Sequence, residues 1–178
     1  KKIIDYAVRK DVNNLIQFTL NDFVEELGSN SPAPGGGSVS ALCGSLGAGL
    51  ASMVAVLTHE KKEFIDDKPK MNILGEEAQK LKERLLWLVD EDTKAFNNIM
   101  ASNRLPQSNP QEKRVKTKAV LKSNMYAIQI PWEVAELSFQ MMKLAFQLVK
   151  EGNPNSVSDA GVAGEVGMAA IRGACLNV

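Results

Sequence analysis

The chain has 178 residues, with 21 Lys plus Arg against 21 Asp plus Glu, so its formal charge at neutral pH is zero. That length suits one compact domain able to bury its apolar side chains without disulfide or metal staples. The balanced charge offers no basic excess to neutralise nucleic-acid phosphates, and the lone histidine, His59, leaves a histidine-rich metal site or an intrachain Ser-His-Asp triad little to build on.

Residues 3–8, IIDYAV, have the composition of a strand but stand alone before a polar stretch. The leading KKIIDYAVRKD is too short and too charged for a secretory leader. Leu20, Phe23, Val24 and Leu27 then recur at helical spacing and stop at Gly28, a natural helix end. A Pro/Gly loop precedes a helix over residues 38–60, and a third helix covers 71–101. The loop RLPQSNPQ separates it from a long helical segment over 112–150, where Pro131 predicts a kink or two abutting helices. EGNPNS breaks the chain again, and 157–178 reads as a final helix. The fold class is all-α, an antiparallel helix bundle. Cys43 and Cys175 lie in Ala/Gly-rich runs with no C-x-x-C pair, which reads as buried free thiols in a reducing, cytoplasmic setting.

Residues 31–58, SPAPGGGSVSALCGSLGAGLASMVAVLT, carry no charged side chain. The apolar part is long enough for a bilayer span, yet it is built from Ala, Gly and Ser rather than Leu, Ile and Phe, and no other segment matches it. Ser40, Gly44, Ala48 and Ser52 recur every four residues, with Ser45 and Gly49 beside them, a row that lets other helix backbones approach closely. A central helix of the bundle is the reading that fits, with no membrane involved. The PGGGS start leaves backbone N–H groups open at a positive helix end. It lacks the nucleotide-loop and dinucleotide patterns, so a plain turn capped by Ser38 and an anion-binding loop both stand.

In the third helix, Leu81, Leu85, Leu88, Asp92, Ala95 and Ile99 follow alternating steps of four and three, so a carboxylate occupies an apolar seam. Asp90 and Glu91 point away from that seam and read as a solvated face. A buried carboxylate raises its pKa or acquires hydrogen bonds, which suits either general acid–base work or a structural contact with a Ser, Thr or Arg of another helix. Ser156 three residues before Asp159 resembles a capping box. Lys61 and Lys62 follow the apolar helix as solvated lysines facing its dipole or as a carboxylate-binding pair.

Taken together, DFVEELGSNSPAPGGGSVSALCGSLGAGLASMVAVLT, KKEF, LVDEDTKAF, PWEVAE and GNPNSVSDAGVA resemble the cyclodeaminase/cyclohydrolase family acting on folates. This family comprises the C-terminal domains of formiminotransferase-cyclodeaminases and the stand-alone bacterial methenyltetrahydrofolate cyclohydrolases. The resemblance covers residues 20–178, leaving 1–19 as an N-terminal extension or linker similar to the end of a formiminotransferase domain. It implies a helical, dimeric domain with its folate site near the inter-subunit surface. It assigns the acid–base role to Asp92, places Gly35, Gly36, Gly37 and Ser38 along the substrate, and turns Ser158 and Asp159 towards the same cleft. Family members continue past the ACLNV at which this chain stops, which implies truncation at the C-terminus.

The function so implied is formimidoyltetrahydrofolate cyclodeaminase, with ammonia released and 5,10-methenyltetrahydrofolate formed, a step in histidine degradation. Lys61 and Lys62 attract the glutamate carboxylates of a tetrahydrofolate derivative, polyglutamylated or not. The expected partners are a second copy of the chain and an attached formiminotransferase domain, with no metal and no cofactor beyond the substrate. Hydrolysis of the methenyl ring to 10-formyltetrahydrofolate and a non-catalytic helical interaction module are the alternatives.

Overall fold

Helix boundaries fall where local chemistry favours them. The structure, a computed structural model, describes residues 14–178, so the strand-like stretch 3–8 lies outside the described residues. A 3-10 turn, Leu15–Gln17, leads into α1, Leu20–Leu27, whose first turn is capped by Thr19 Oγ1 accepting the Asp22 N–H at 3.1 Å. Gly28 ends it, as its position predicts. The second helix, α2, spans Gly36–Glu60, and α3 spans Lys68–Asn103. The next, α4, spans Pro110–Glu151, with Asn109 Oδ1 accepting the Glu112 N–H while Glu112 accepts the Ser108 N–H at 2.7 Å. Last, α5 spans Val157–Cys175, and there is no strand among the described residues.

Contacts fix the topology. Asp92 lies against Gly37, Leu85 against Gly44, and Gln79 donates to Ser52 Oγ, so α3 runs antiparallel to α2. Ser138 faces Gly44, Met141 faces Gly47 and Gly152 faces Val54, so α4 returns parallel to α2. Gly173 approaches Ser40, the Ala163 carbonyl approaches Gly47 and the Asn153 N–H reaches Thr58 Oγ1 at 2.9 Å, so α5 is antiparallel again. The result is an up-down-up-down bundle in which α2 touches the other three long helices.

The small-residue row explains that central place. Ser40, Gly44, Ala48 and Ser52 are all buried, and backbones crowd where no side chain stands. Among the described residues α2 is the one helix long and apolar enough to cross a membrane, and its small-residue face is packed against protein. The apolar seam of α3 is equally plain: Met71, Leu74, Ala78, Leu81, Leu85, Leu88 and Ala95 are buried.

One expectation needs correction and two are sharpened. Of the two outcomes expected at Pro131, two abutting helices do not occur: one helix runs through it, with Pro131 buried beside Ile130 and Val134, where tertiary packing outweighs one lost backbone bond. Cys175 is exposed and Cys43 only half-buried, because each sits on the side of its helix turned away from the core. Packing also extends ahead of Leu20, since Leu15 is buried in the same apolar cluster as Phe23, Leu88 and Val89.

Candidate active site

The start of α2 is a helix end with no cap of its own. Gly35 occupies the N-cap position without a side chain, and the first intrahelical bond is Val39 N–H to Gly35 O at 3.1 Å. The amides of Gly36, Gly37 and Ser38 therefore precede the helical ladder and carry its partial positive charge. Asp92, arriving from α3, fills this role. Its Oδ2 accepts the Ser38 hydroxyl at 2.9 Å, and its carboxylate also accepts the Ser38 backbone N–H. The same hydroxyl lies 3.0 Å from the Val89 carbonyl and 3.4 Å from Thr93 Oγ1, so Ser38 ties the two helices together at this level.

Gly37 makes the approach possible. A Cβ there would overlap the Asp92 carboxylate, coming within 2.5 Å of its Cγ. Burial pushes the Asp92 carboxyl above the ordinary carboxylate range, and the hydroxyl and amide of Ser38 offset only part of that rise. Half-buried and seated on a helix N-terminus, the group holds a proton more readily than an ordinary carboxylate while its position stays fixed. Beside it, Asn177 lies close to Gly36 and Gly173 closes on Ser40, so the end of α5 borders the same region.

Asp90 and Glu91 are not solvated, contrary to the seam-based expectation: only 4% and 7% of their surfaces are exposed. Helical spacing turns them off the Asp92 seam, but other elements cover those directions. Asp90 Oδ1 accepts the Leu15 N–H at 2.6 Å. Glu91 accepts the Tyr126 hydroxyl from α4 and pairs with Lys94 at 2.6 Å. Burial pushes the Glu91 carboxyl up, yet the bonds from Lys94 and Tyr126 outweigh it and hold the group below the ordinary range. Burial and Glu91 push the Tyr126 phenol up to about 12. Neither covering segment is visible in the local pattern of α3.

The remaining expected site residues gather elsewhere. Lys61 is half-buried and Lys62 exposed just past the C-terminus of α2, about 35 Å from Ser38 at 1.5 Å per helical residue. Ser158 and Asp159 open α5 at that same far end, joined to it by the Asn153–Thr58 bond. Ser156 stands at the N-cap of α5 but its side chain makes no capping bond; Asn153 Oδ1 instead accepts the Asn155 N–H at 3.0 Å. Ser38 likewise lies inside α2 rather than capping it, because the helix already starts at Gly36. One chain thus brings together residues 35–38 with Asp92, and separately Lys61 and Lys62 with Ser158 and Asp159.

A groove of about 620 Å³ lies between the second half of α2 and the first half of α3, lined by Ser52, Val56, His59, Glu76, Gln79 and Glu83 among others. It lies on the half of α2 nearer the lysines, away from Asp92. No group of three or more His, Cys, Asp or Glu side chains arranged to hold a metal ion occurs among the described residues.

Comparison with known proteins bears on this arrangement. The sequence model of the family described as Formiminotransferase-cyclodeaminase matches residues 19–178. A methenyltetrahydrofolate cyclohydrolase of Methylorubrum extorquens is 32% identical over 160 residues, covering 90% of this chain and 77% of that protein. The formimidoyltransferase-cyclodeaminase of Rattus norvegicus is 33% identical over 180 residues; the match takes in all of this chain and 33% of the rat protein. The chain therefore spans about a third of that longer relative. The crystal structure of formiminotetrahydrofolate cyclodeaminase from Thermotoga maritima superposes with a TM-score of 0.80 at 26% identity, covering 91% of this chain and 77% of that one.

Proposed function

The chain belongs to the formiminotransferase-cyclodeaminase family, a family of folate-processing enzymes, and on that premise we propose that it is a formimidoyltetrahydrofolate cyclodeaminase. The observation that carries this reading is the Asp92 carboxylate seated on the glycine-lined start of α2 with its pKa raised. In the reaction, N10 of the folate attacks the carbon of the protonated formimino group on N5. Asp92 takes the proton from N10 and passes it to the exocyclic nitrogen. The bond from that nitrogen to carbon breaks, ammonia leaves with the bonding pair, and N5 and N10 share the positive charge of the 5,10-methenyl ring. Holding N10 against the formimino carbon removes much of the barrier by positioning, and no metal or redox group enters the balance.

The test is direct. Asp92→Asn should abolish ammonia release while the helical circular dichroism signal persists; an active variant would remove Asp92 from the mechanism. Methenyl hydrolysis to 10-formyltetrahydrofolate is the second reading, supported by the Methylorubrum relative, of which the chain covers 77%. Supplying purified protein with 5-formiminotetrahydrofolate and, separately, with 5,10-methenyltetrahydrofolate, and following methenyl absorbance, separates the two.

The working unit in this reading is a homodimer, and the exposed face of α2 supports it. Leu46, Met53, Val56 and Leu57 are exposed there, Leu42, Cys43 and Leu50 are half-buried, and a Cβ on Gly49 would meet nothing within 4 Å. This row is symmetric about the midpoint between Gly49 and Leu50: Leu46 mirrors Met53, Cys43 mirrors Val56, and Leu42 mirrors Leu57. An isologous two-fold contact needs that self-complementarity. The same midpoint pairs Ser38 with Lys61 and Gly37 with Lys62, so an antiparallel crossing sets the lysines of one copy beside the Asp92 end of the other. A folate reacting at Asp92 would then extend its glutamate carboxylates towards the second copy's lysines. An attached formiminotransferase domain and a cytoplasmic setting complete the proposal, the former because the chain spans a third of the rat relative.

A further inference from the structure

Asp90 is a buried carboxylate that the mechanism does not use, and its partners are unusual. It sits two residues before Asp92, faces the other way, and accepts the backbone N–H of Leu15 at 2.6 Å, with the neighbouring Ile16 N–H also favouring its charged form. Those amides belong to the 3-10 turn that precedes α1, 75 residues away in sequence. A peptide N–H at the start of a short turn has no partner within the turn, and leaving it buried and unpaired is costly. Asp90 satisfies that donor at Leu15, so the segment 14–18 is fastened to α3 at the level of the site.

The fastened segment reaches the site through packing. Leu15 is buried in the apolar cluster that also holds Ala41, Leu85, Leu88, Val89 and Ala95. Val89 supplies the carbonyl that faces the Ser38 hydroxyl, and Ala41 lies on the next turn of α2 after Ser38. The turn that carries Leu15 packs on α3, within the apolar cluster that joins α3 to Ala41 of α2 beside the point where the two helices are registered. We propose that Asp90 is a positioning residue: it straps residues 14–18 across α3, and the strap holds the first turn of α2 in register with Asp92. The carboxylate itself never touches substrate. Its removal frees Leu15, loosens the apolar cluster around Val89, and lets the Ser38–Asp92 contact drift.

The kinetic part of this inference rests on the cyclodeaminase reading; the structural part does not. Four variants of the full chain test it: Asp90→Ala, Asp90→Asn, Leu15→Ala and the Asp90→Ala/Leu15→Ala pair. Hydrogen exchange comes first. Asp90→Ala should speed exchange of the Leu15 and Ile16 amides at least about tenfold, and also that of Ser38 and Val39 in the first turn of α2. Asp90→Asn keeps one acceptor oxygen and should recover much of the protection. With 5-formiminotetrahydrofolate, Asp90→Ala should lower kcat on the order of tenfold with KM within about twofold, the pattern of a misplaced reacting group rather than lost binding. Leu15→Ala should do the same, and the pair should be no worse than Asp90→Ala alone. Unchanged exchange at Ser38 and Val39 in Asp90→Ala, or losses in kcat that multiply in the pair, would overturn the proposal. A wild-type protein inactive on this folate would defeat the cyclodeaminase reading alone, since the exchange measurements still decide the strap.

Discussion

Gly37 and Asp92 define each other at this site. The glycine has no Cβ because the carboxylate occupies that space, and the carboxylate reaches the Ser38 amide and hydroxyl because the space is open. Gly37→Ala should therefore keep the helix, which alanine favours, but push the short Asp92 side chain off Ser38. An activity loss on the order of a hundredfold is expected, matching a displacement of about 1 Å at a reacting group, with the thermal melt still cooperative. A second prediction concerns pH. The Asp92 carboxyl lies above its ordinary value of 3.8 chiefly through burial, so as pH rises through 3.8 the unfolded chain releases this proton before the folded one does. Between 3.8 and the raised value, folding binds the extra proton, and stability falls as pH rises. Asp92→Asn escapes that penalty: urea melts should show it at least as stable as wild type at neutral pH, with the advantage vanishing towards pH 3.8. Glu91 acts in the opposite sense and in a lower window, because its carboxyl is held below 4.5 and its stabilisation fades only as pH falls under that value. It is present in both proteins and cancels in the difference. Asp92 was legible in the sequence because it interrupts a leucine seam; its tie to Ser38 was not, because that depends on the register between two helices 54 residues apart.

At the scale of whole helices, spacing and capping chemistry were sufficient. The seam of α3, the stop at Gly28 and the small-residue row of α2 all do what their patterns require. Local patterns fell short where another element supplied the missing term. Asp90 and Glu91 look solvated only until the Leu15–Gln17 turn and Tyr126 cover them, and Pro131 looks like a break only until its neighbours are seen buried. One polar group on α4 remains unresolved by any partner: the Ser138 hydroxyl is fully buried against Gly44 without a hydrogen bond. Desolvating a hydroxyl without compensation costs about 1–3 kcal/mol by mutational measures. Ser138→Ala removes that cost and opens a void smaller than a methyl group, so it should leave stability unchanged or raise it by about 1 kcal/mol. Gly44→Ala, at the same crossing, should act the other way, since its Cβ would come within 2.6 Å of Ser138 Oγ and 3.2 Å of Leu85 Cδ2. Overpacking of that kind costs about 1–3 kcal/mol. Paired chemical melts of the two variants check both signs.

For the whole molecule, the question is why the residues expected to share one site stand at opposite ends of α2. Within one chain the separation is about 35 Å, too far for a side chain to cover. The proposed two-fold contact across the symmetric row of α2 would resolve it, because each copy would then offer its Asp92 end to the other's Lys61 and Lys62. No periodicity in a single chain reveals this; what the sequence does carry is the palindromic placement of Leu42, Cys43, Leu46, Met53, Val56 and Leu57 about Gly49 and Leu50. The arrangement makes a complementation prediction. In the proposed mechanism Asp92→Asn lacks the acid–base group, and a Lys61→Ala/Lys62→Ala variant should weaken capture of the folate tail at subsaturating substrate. If both groups acted within one chain, mixing the two proteins would restore nothing. With sites shared across the two-fold axis, a mixed dimer has one site carrying both defects and one intact. Random exchange of equal amounts makes half the dimers mixed, so about a quarter of wild-type activity should return at subsaturating 5-formiminotetrahydrofolate. Leu46→Glu, which places a charge in the middle of the contact, should block the recovery and shift the protein to monomer in sedimentation. Failure of the mixture to regain activity, with subunit exchange verified by a tagged copy, would return the lysines to the solvated role that isolated surface charges usually have.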